Sequence, residues 1–141
     1  MPQLPCVLLV DDDDTTNYLN SLILKRMGIA AHILIATNGR QALDLLPEHC
    51  PELDSPTCPV LILLDINMPV MNGFEFLEAY AQLPQARRDA RVVLVLTTSL
   101  NPRDAERLLA LPAAGILVKP LSKAKVAQLL HEYFGHSLPS A

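Results

Sequence analysis

The 141-residue sequence lacks the features that mark several classes of protein. No apolar run exceeds five residues, the length of those at 60–64 and 92–96, whereas a membrane-spanning helix needs about 20. No basic cluster is present to neutralise nucleic-acid phosphates, and the formal net charge is −4. The N-terminus also lacks the positively charged segment of a signal peptide. We therefore expect a cytoplasmic protein that binds neither membrane nor nucleic acid.

Cysteine is scarce as well. Cys6, Cys50 and Cys58 are odd in number and irregularly spaced, and the chain contains no CxxC. Disulfide frameworks and zinc sites usually show an even number of cysteines or a regular ligand spacing. Although His49 stands beside Cys50, we predict three free thiols in a reducing compartment.

The composition is that of one globular domain, because half of the residues are apolar and only 18% are charged. We assign 1–141 to a single domain with a core at about 5–134 and a short tail at 135–141. The segment 46–59 holds four prolines, which predicts a long irregular loop. Two interpretations of this loop stay open, sequence drift without a function and a partner site.

Short apolar strands alternate with segments of helical period. The predicted strands lie at 6–10, 32–36, 60–64, 92–96 and 116–118. Three of them show no alternation of apolar and polar residues, which indicates a parallel sheet covered by helices on both faces. Five helical segments begin near residues 14, 38, 73, 101 and 122. This order predicts an α/β fold, a doubly wound five-stranded parallel sheet with five helices.

Two of these helices carry further expectations. The first, at 14–27, places four apolar residues on one face: Leu19, Leu22, Ile23 and Met27. The second is expected to end before Pro47, because proline disfavours a helix interior.

Four consecutive aspartates, Asp11 to Asp14, follow the first strand. Their mutual repulsion is unfavourable unless they face water or hold a cation. Asp13 and Asp14 begin the first helix, where negative charge and N-capping are favourable. We predict a capping role for Asp14.

The remaining polar residues at strand ends suggest a reaction site. Parallel strands deliver their carboxyl ends to one edge of a sheet, where ligands bind. The residues predicted there are Asp11, Asp12, Asp65, Thr97, Thr98 and Lys119. Carboxylates suit Mg²⁺, and an aspartate is also a nucleophile towards phosphorus. Hydroxyl and ammonium groups can bind phosphoryl oxygens. The alternative is a solvated acidic rim without chemistry.

Four motifs at these strand ends resemble those of response-regulator receiver domains. They are VDDDD at 10–14, LLDINMPVMNG at 63–73, LTTS at 96–99 and VKP at 118–120. They occur in the family's order, and the match covers about residues 5–134. The resemblance implies a flavodoxin-like fold with strand order 2-1-3-4-5.

The resemblance also implies roles for individual residues. Asp65 matches the phosphoacceptor, and the pair Asp11 and Asp12 matches the acids that bind Mg²⁺ together with Asp65. Asn67 matches the position whose backbone carbonyl is a further ligand of the metal. Thr97 matches the hydroxyl residue that responds to phosphorylation.

The motif around the last strand agrees with the family only in part. Lys119 matches the lysine that contacts the phosphoryl group, and its peptide bond to Pro120 is expected to be cis. Ile116, however, stands where the family commonly has a tyrosine or phenylalanine switch, and Leu121 replaces a frequent phenylalanine. The aromatic coupling to Thr97 is therefore in doubt.

Three functions remain in competition. The first is a stand-alone, chemotaxis-type or phosphorelay response regulator that accepts a phosphoryl group on Asp65 from a histidine kinase or a histidine phosphotransfer protein. The resemblance implies that 14–27 docks this donor and that 102–134 contacts an unidentified downstream protein. The second is a vestigial receiver that binds its partner regardless of phosphorylation. The third, a Mg²⁺ phosphohydrolase, is disfavoured because Asn67 stands where haloacid-dehalogenase-like enzymes have their general acid. We expect no enzyme.

Overall fold

The computed structural model describes residues 4–52, 55–98 and 101–135. The strands are β1 Leu4–Val10, β2 Ala30–Ala36, β3 Leu61–Asp65, β4 Val92–Thr97 and β5 Gly115–Val118. The helices are α1 Asp14–Arg26, α2 Gly39–His49, α3 Gly73–Tyr80, α4 Gln85–Asp89, α5 Pro102–Leu109 and α6 Lys123–Phe134.

The strands form one parallel sheet in the order β2-β1-β3-β4-β5. This confirms the predicted fold class and strand order. The described ranges contain six helices rather than five, because a five-residue helix, α4, follows Pro84. The Arg87 amide closes its first turn by donating to the Pro84 carbonyl at 3.0 Å.

Alternate residues of the strands point to opposite faces of the sheet, so the core has two layers. One layer joins Ile62 and Leu64 of β3 to apolar residues of α2, α3 and α5. The other joins Leu61 and Leu63 to residues of α1 and α6. Helices therefore cover both faces, and the carboxyl edge of the sheet is left for a site. None of the helices in the described ranges combines the length and apolar character that crossing a membrane requires.

The inner face of α1 differs from the predicted one. Ile23 and Met27 pack against the core as expected, but Leu19 is 52% exposed. The residues buried instead are Asn17, Asn20, Ser21 and Leu24. The helix turns this way because the Asn17 side chain donates a hydrogen bond to the Asp11 carbonyl at 2.8 Å.

The N-terminal cap of α1 is also shifted by one residue. Asp13, and not Asp14, is the N-cap, and its side chain accepts hydrogen bonds from the Thr15 amide and the Thr16 hydroxyl, both at 3.0 Å. These bonds, led by the one from Thr16, lower the pKa of Asp13. Asp14 is the first helical residue, where its charge still suits the helix dipole.

Helix α2 runs through Pro47 to His49, so the expected end before Pro47 is wrong. A proline in the last turn removes only one helical hydrogen bond. The turn closes beyond it, because the Cys50 amide donates to the Leu46 carbonyl at 2.9 Å.

The prediction of three free thiols is wrong for two of the cysteines, and the extension of α2 is part of the reason. The loop after α2 folds back, and the Thr57 hydroxyl donates to the His49 carbonyl at 3.2 Å. This brings the Cα atoms of Cys50 and Cys58 to 4.6 Å, and the two residues form a disulfide. Cys6 is a free, buried thiol, as expected.

Candidate functional site

The carboxyl edge of the sheet gathers the predicted acidic residues. Asp11 follows β1 directly, and Asp65 is the last residue of β3. One carboxylate oxygen from each of Asp11, Asp12 and Asp65 lies within 4.8 Å of the other two. Asp65 is only 8% exposed and Asp11 is also buried, whereas Asp12 faces solvent. The structure thus brings Asp65 next to two carboxylates that precede it by more than fifty residues in the sequence.

Lys119 joins this cluster from the end of β5. Its Nζ atom lies 2.7 Å from Asp11 Oδ2 and 3.2 Å from Asp65 Oδ1. Burial lowers the pKa of the Lys119 amine, but its contacts with Asp11 and Asp65 outweigh burial and the pKa is raised overall. Lys119 is therefore an ammonium that partly offsets the repulsion between the two carboxylates.

The electrostatic environment of Asp65 is unfavourable to its charge. Burial raises the pKa of this carboxyl group, and the neighbouring Asp11 raises it further, against the opposing effect of Lys119. An additional cation near these carboxylates would relieve both the repulsion and the loss of solvation.

The backbone around Asp11 is fixed by hydrogen bonds on both sides. Its amide donates to the Ala36 carbonyl at 3.1 Å, and its carbonyl accepts from the Asn17 side chain at 2.8 Å. Its Oδ1 atom accepts from the Asp13 amide at 2.9 Å. Asn17 is a supporting residue that the sequence analysis missed, because helical spacing indicated an apolar inner face for α1.

The loop between β3 and α3 passes very close to Asp65. The Gly73 amide donates to the Ile66 carbonyl at 2.9 Å, and a Cβ atom at Gly73 would lie 2.6 Å from the Asp65 carbonyl oxygen. Only glycine fits this approach. Asn67 is exposed in the same loop, two residues after Asp65, and its role as a metal ligand stays a prediction.

Thr97 lies at the end of β4, next to the backbone of Lys119. It is buried and pairs in register with Val118, and its carbonyl accepts from the Lys119 amide at 2.7 Å. Thr98, the next residue, is exposed. Ser99, which ends the LTTS motif, lies outside the described residues.

The segment that carries Lys119 is held from α6. The Lys119–Pro120 peptide is cis, as the resemblance implies. The Nζ atom of Lys125 donates to the Val118 carbonyl at 2.5 Å and to the Pro120 carbonyl at 2.9 Å. Lys125 thus fixes the chain on both sides of Lys119. The sequence does not predict this role of Lys125, because a lysine in a surface helix is usually solvated.

The two departures from the family motif have different surroundings. Ile116 is 39% exposed on the edge strand β5, whereas Leu121 is buried in the core layer beneath α1 and α6. Leu121 therefore contributes to packing, and Ile116 gives β5 an apolar outer surface.

Comparisons with known proteins agree with this fold. The model of the response regulator receiver domain family matches residues 7–131. The chain is 30% identical over 129 residues to a protein of Rhizobium etli named "Probable chemotaxis protein CheY", and the match covers 92% of each chain.

Solved structures show the same likeness. A two-component response regulator from Cytophaga hutchinsonii superposes with a TM-score of 0.82 at 30% identity, over 95% of this chain and 99% of that one. The chemotaxis response regulator CheY4 of Vibrio cholerae gives a TM-score of 0.73 at 30% identity, over 94% and 98% of the two chains. The chain therefore belongs to the receiver domain family of two-component response regulators.

Proposed function

We propose that Asp65 accepts a phosphoryl group from a phosphohistidine of a sensor histidine kinase or histidine phosphotransfer protein. The chain then signals through contact with another protein in the cytoplasm. The observation that carries this proposal is the contact of the Lys119 ammonium with both Asp11 and Asp65 at the carboxyl edge of the sheet. A solvated acidic rim would not need a partly buried lysine between two buried carboxylates.

The donor set fits Mg²⁺. Three carboxylates lie together, and one ammonium contacts two of them. A divalent cation would balance the excess negative charge, and hard oxygen ligands are those that Mg²⁺ prefers. Asp11, Asp12 and Asp65 would hold it, with the Asn67 carbonyl as a further ligand. When bound, Mg²⁺ neutralises charge on the phosphoryl oxygens.

The chain's own residues supply the remaining chemistry. A carboxylate oxygen of Asp65 forms the new bond to phosphorus while the bond from phosphorus to the donor's imidazole nitrogen breaks. Lys119 lies 3.2 Å from Asp65, which supports its proposed role of pairing with a phosphoryl oxygen. The Thr97 hydroxyl is assigned to another phosphoryl oxygen.

Incubation with acetyl phosphate and Mg²⁺ tests this chemistry. We expect intact-mass spectrometry to show one added phosphoryl group on the native chain, and none after Asp65→Asn or in excess chelator. Asp44→Asn is a matched control, because Asp44 is an exposed aspartate that pairs with Arg40 on α2. A native chain without an adduct would refute the proposal, as would an adduct that survives Asp65→Asn.

The donor's docking surface is proposed to be the outer face of α1. Leu19 and Ile23 line a groove of about 530 Å³ that continues past Pro120 and Leu121 to Lys119. An apolar groove that ends at Lys119, next to Asp65, suits a helix that presents a phosphohistidine.

The variant Leu19→Glu tests docking of the donor without changing the residues proposed to react with the phosphoryl group. Because Leu19 is half-exposed, this variant should fold normally and react with acetyl phosphate as the native chain does. Transfer from a cognate kinase should slow by about tenfold or more, since one buried apolar anchor contributes about 1.5–3 kcal/mol. Equal transfer rates for the variant and the native chain would remove α1 as the docking surface.

The output surface is proposed to lie within 102–134, where Leu109, Ile116 and Val118 are exposed apolar residues. Ile116 also favours the second candidate, a receiver that binds its partner regardless of phosphorylation, because it cannot act as an aromatic switch. Partner affinity measured with and without a phosphoryl analogue separates the two. We expect the analogue to change the affinity, and an unchanged affinity would favour the second candidate. In either case, turnover of small phosphomonoesters is not expected.

A further inference from the structure

Lys119 reaches the acidic cluster from the last strand of the sheet. Strand β5 has only four residues and pairs with β4 alone. The Lys119 amide donates to the Thr97 carbonyl of β4 at 2.7 Å. The carbonyls on either side of Lys119, those of Val118 and Pro120, accept no backbone hydrogen bond from the residues that the structure describes. Strand pairing therefore holds the backbone of Lys119 by one bond and leaves its two flanking carbonyls to other donors.

A single residue of α6 supplies these donors. The Nζ atom of Lys125 donates to the Val118 carbonyl at 2.5 Å and to the Pro120 carbonyl at 2.9 Å. The Lys125 amide also donates to Oγ of Ser122, the N-cap of α6, at 3.2 Å. The next residue, Val126, is fully buried in the core layer beneath α1 and α6. Lys125 thus ties the segment 118–122 to a helix that the core holds in place.

The two carbonyl bonds restrain the segment more than they stabilise the fold. Both lie at the surface, so water would hydrogen-bond to either carbonyl if the ammonium were removed, and little stability would be lost. Water, however, does not connect the carbonyls to α6. Lys119 Nζ lies 2.7 Å from Asp11 Oδ2 and 3.2 Å from Asp65 Oδ1. A small shift of the backbone would therefore take it beyond hydrogen-bond distance of Asp65.

We propose that Lys125 is a positioning residue for the phosphorylation of Asp65, and that it acts by holding the Lys119 ammonium beside that carboxylate. This inference rests on the proposed function, which assigns Lys119 to a phosphoryl oxygen. An ammonium that is already fixed at the reacting atoms needs no reorganisation as charge develops on the phosphoryl group. Lys125 itself forms no ion pair with a carboxylate in the described ranges, so its effect is expected to pass through the backbone of Lys119.

The rate of phosphorylation by acetyl phosphate at saturating Mg²⁺ tests this role, with the adduct followed by intact-mass spectrometry. Lys125→Met should slow the reaction of the full chain about tenfold, because a misplaced ammonium stabilises the developing charge less well. Lys125→Arg keeps a cation with several N–H donors and should stay within about threefold of the native rate. Circular dichroism and urea unfolding check that each variant folds.

Lys123→Met is the matched control for the loss of a positive charge. Lys123 is exposed two residues earlier on the same helix, and the two carbonyl bonds come from Lys125 instead. Its removal should change the rate by about twofold or less, because solvent screens an exposed charge. An equal loss in Lys123→Met and Lys125→Met would assign the effect to the attraction of α6 for an anionic donor, and would overturn the proposal.

A double variant tests whether Lys125 acts through Lys119. In a Lys119→Met chain there is no ammonium left to position, so adding Lys125→Met should change the rate by about twofold or less. The affinity for beryllofluoride, a phosphoryl analogue, gives the same comparison where Lys119→Met reacts too slowly to time. A full tenfold loss in both backgrounds would show that Lys125 acts independently of Lys119, contrary to the proposal.

The remaining outcomes separate this role from the proposed function. A native chain that takes up no phosphoryl group would refute both. If the native chain is phosphorylated and a folded Lys125→Met reacts at the same rate, the role of Lys125 alone is refuted. A Lys125→Met chain that fails to fold would assign the residue to stability, and the positioning role would be withdrawn.

Discussion

Asp65, the proposed phosphoacceptor, lies where its charge lowers the stability of the chain. Its carboxylate is buried beside that of Asp11, and both factors raise its pKa above the ordinary value of 3.8. The folded chain therefore binds this proton more tightly than the unfolded chain does. As the pH rises from the pKa of Asp65 in the unfolded chain through its higher pKa in the folded chain, the carboxylate charge forms in an unfavourable environment. The free energy of unfolding therefore falls over this pH range.

We accordingly expect Asp65→Asn to be more stable than the native chain at pH 7 in the absence of Mg²⁺, by about 1 kcal/mol. The gain should disappear below about pH 4, where the native carboxyl is protonated. Urea unfolding at several pH values measures the difference. A variant that is less stable at pH 7 would show that the contact with Lys119 outweighs burial.

The sequence predicts the residues of the site that end strands, because a parallel sheet brings strand ends to one edge. Asp65 and Lys119 are examples. It does not predict residues that support the site by binding backbone carbonyls. Asn17 and Lys125 act in this way, and neither bond follows from residue spacing, since both depend on how a helix is rotated against the sheet.

At the scale of elements, the start of α3 determines how closely the loop after β3 approaches Asp65. Asn72 and Glu75 form a reciprocal capping box there, and Gly73 lies against the backbone of Asp65 and Ile66. Helix α3 therefore begins where its first residue has no room for a side chain.

Gly73→Ala should lower the free energy of unfolding by about 1–3 kcal/mol, because the added methyl group meets backbone atoms that cannot rotate away. The sign is diagnostic, since alanine is normally favoured over glycine inside a helix by about 0.5–1 kcal/mol. Thermal or urea unfolding measures it. A stabilised variant would mean that the loop moves away from Asp65 without loss.

Element order and type were predictable, whereas details of the helices were not. Pro47 is expected to end α2, yet in a last turn it removes too little hydrogen bonding to do so. The disulfide between Cys50 and Cys58 depends on that extension and on the folded loop after it. An irregular spacing of cysteines gives no sign of either.

In the whole molecule, the residues that stabilise the fold lie apart from the charged residues of the proposed site. Apolar layers on both faces hold the sheet together, and the mutually repelling charges lie at one edge. A ligand at that edge binds the folded chain and not the unfolded chain, so it stabilises the entire domain by mass action.

Mg²⁺ should therefore raise the free energy of unfolding, by about 2.7 kcal/mol at a hundred times its Kd. Calorimetry at increasing Mg²⁺ concentration measures the rise. Asp12→Asn should remove most of it and Asp44→Asn should not. An equal rise in all three proteins would indicate non-specific binding.

The polar inner face of α1 has a consequence for protein engineering. A designer who fills buried helix positions with leucine would choose Asn17 first, and would remove the amide that holds the Asp11 carbonyl. The redesigned chain would gain apolar packing, but the buried Asp11 carbonyl would lose its hydrogen-bond donor, and one of the carboxylates proposed to hold Mg²⁺ would be less firmly positioned.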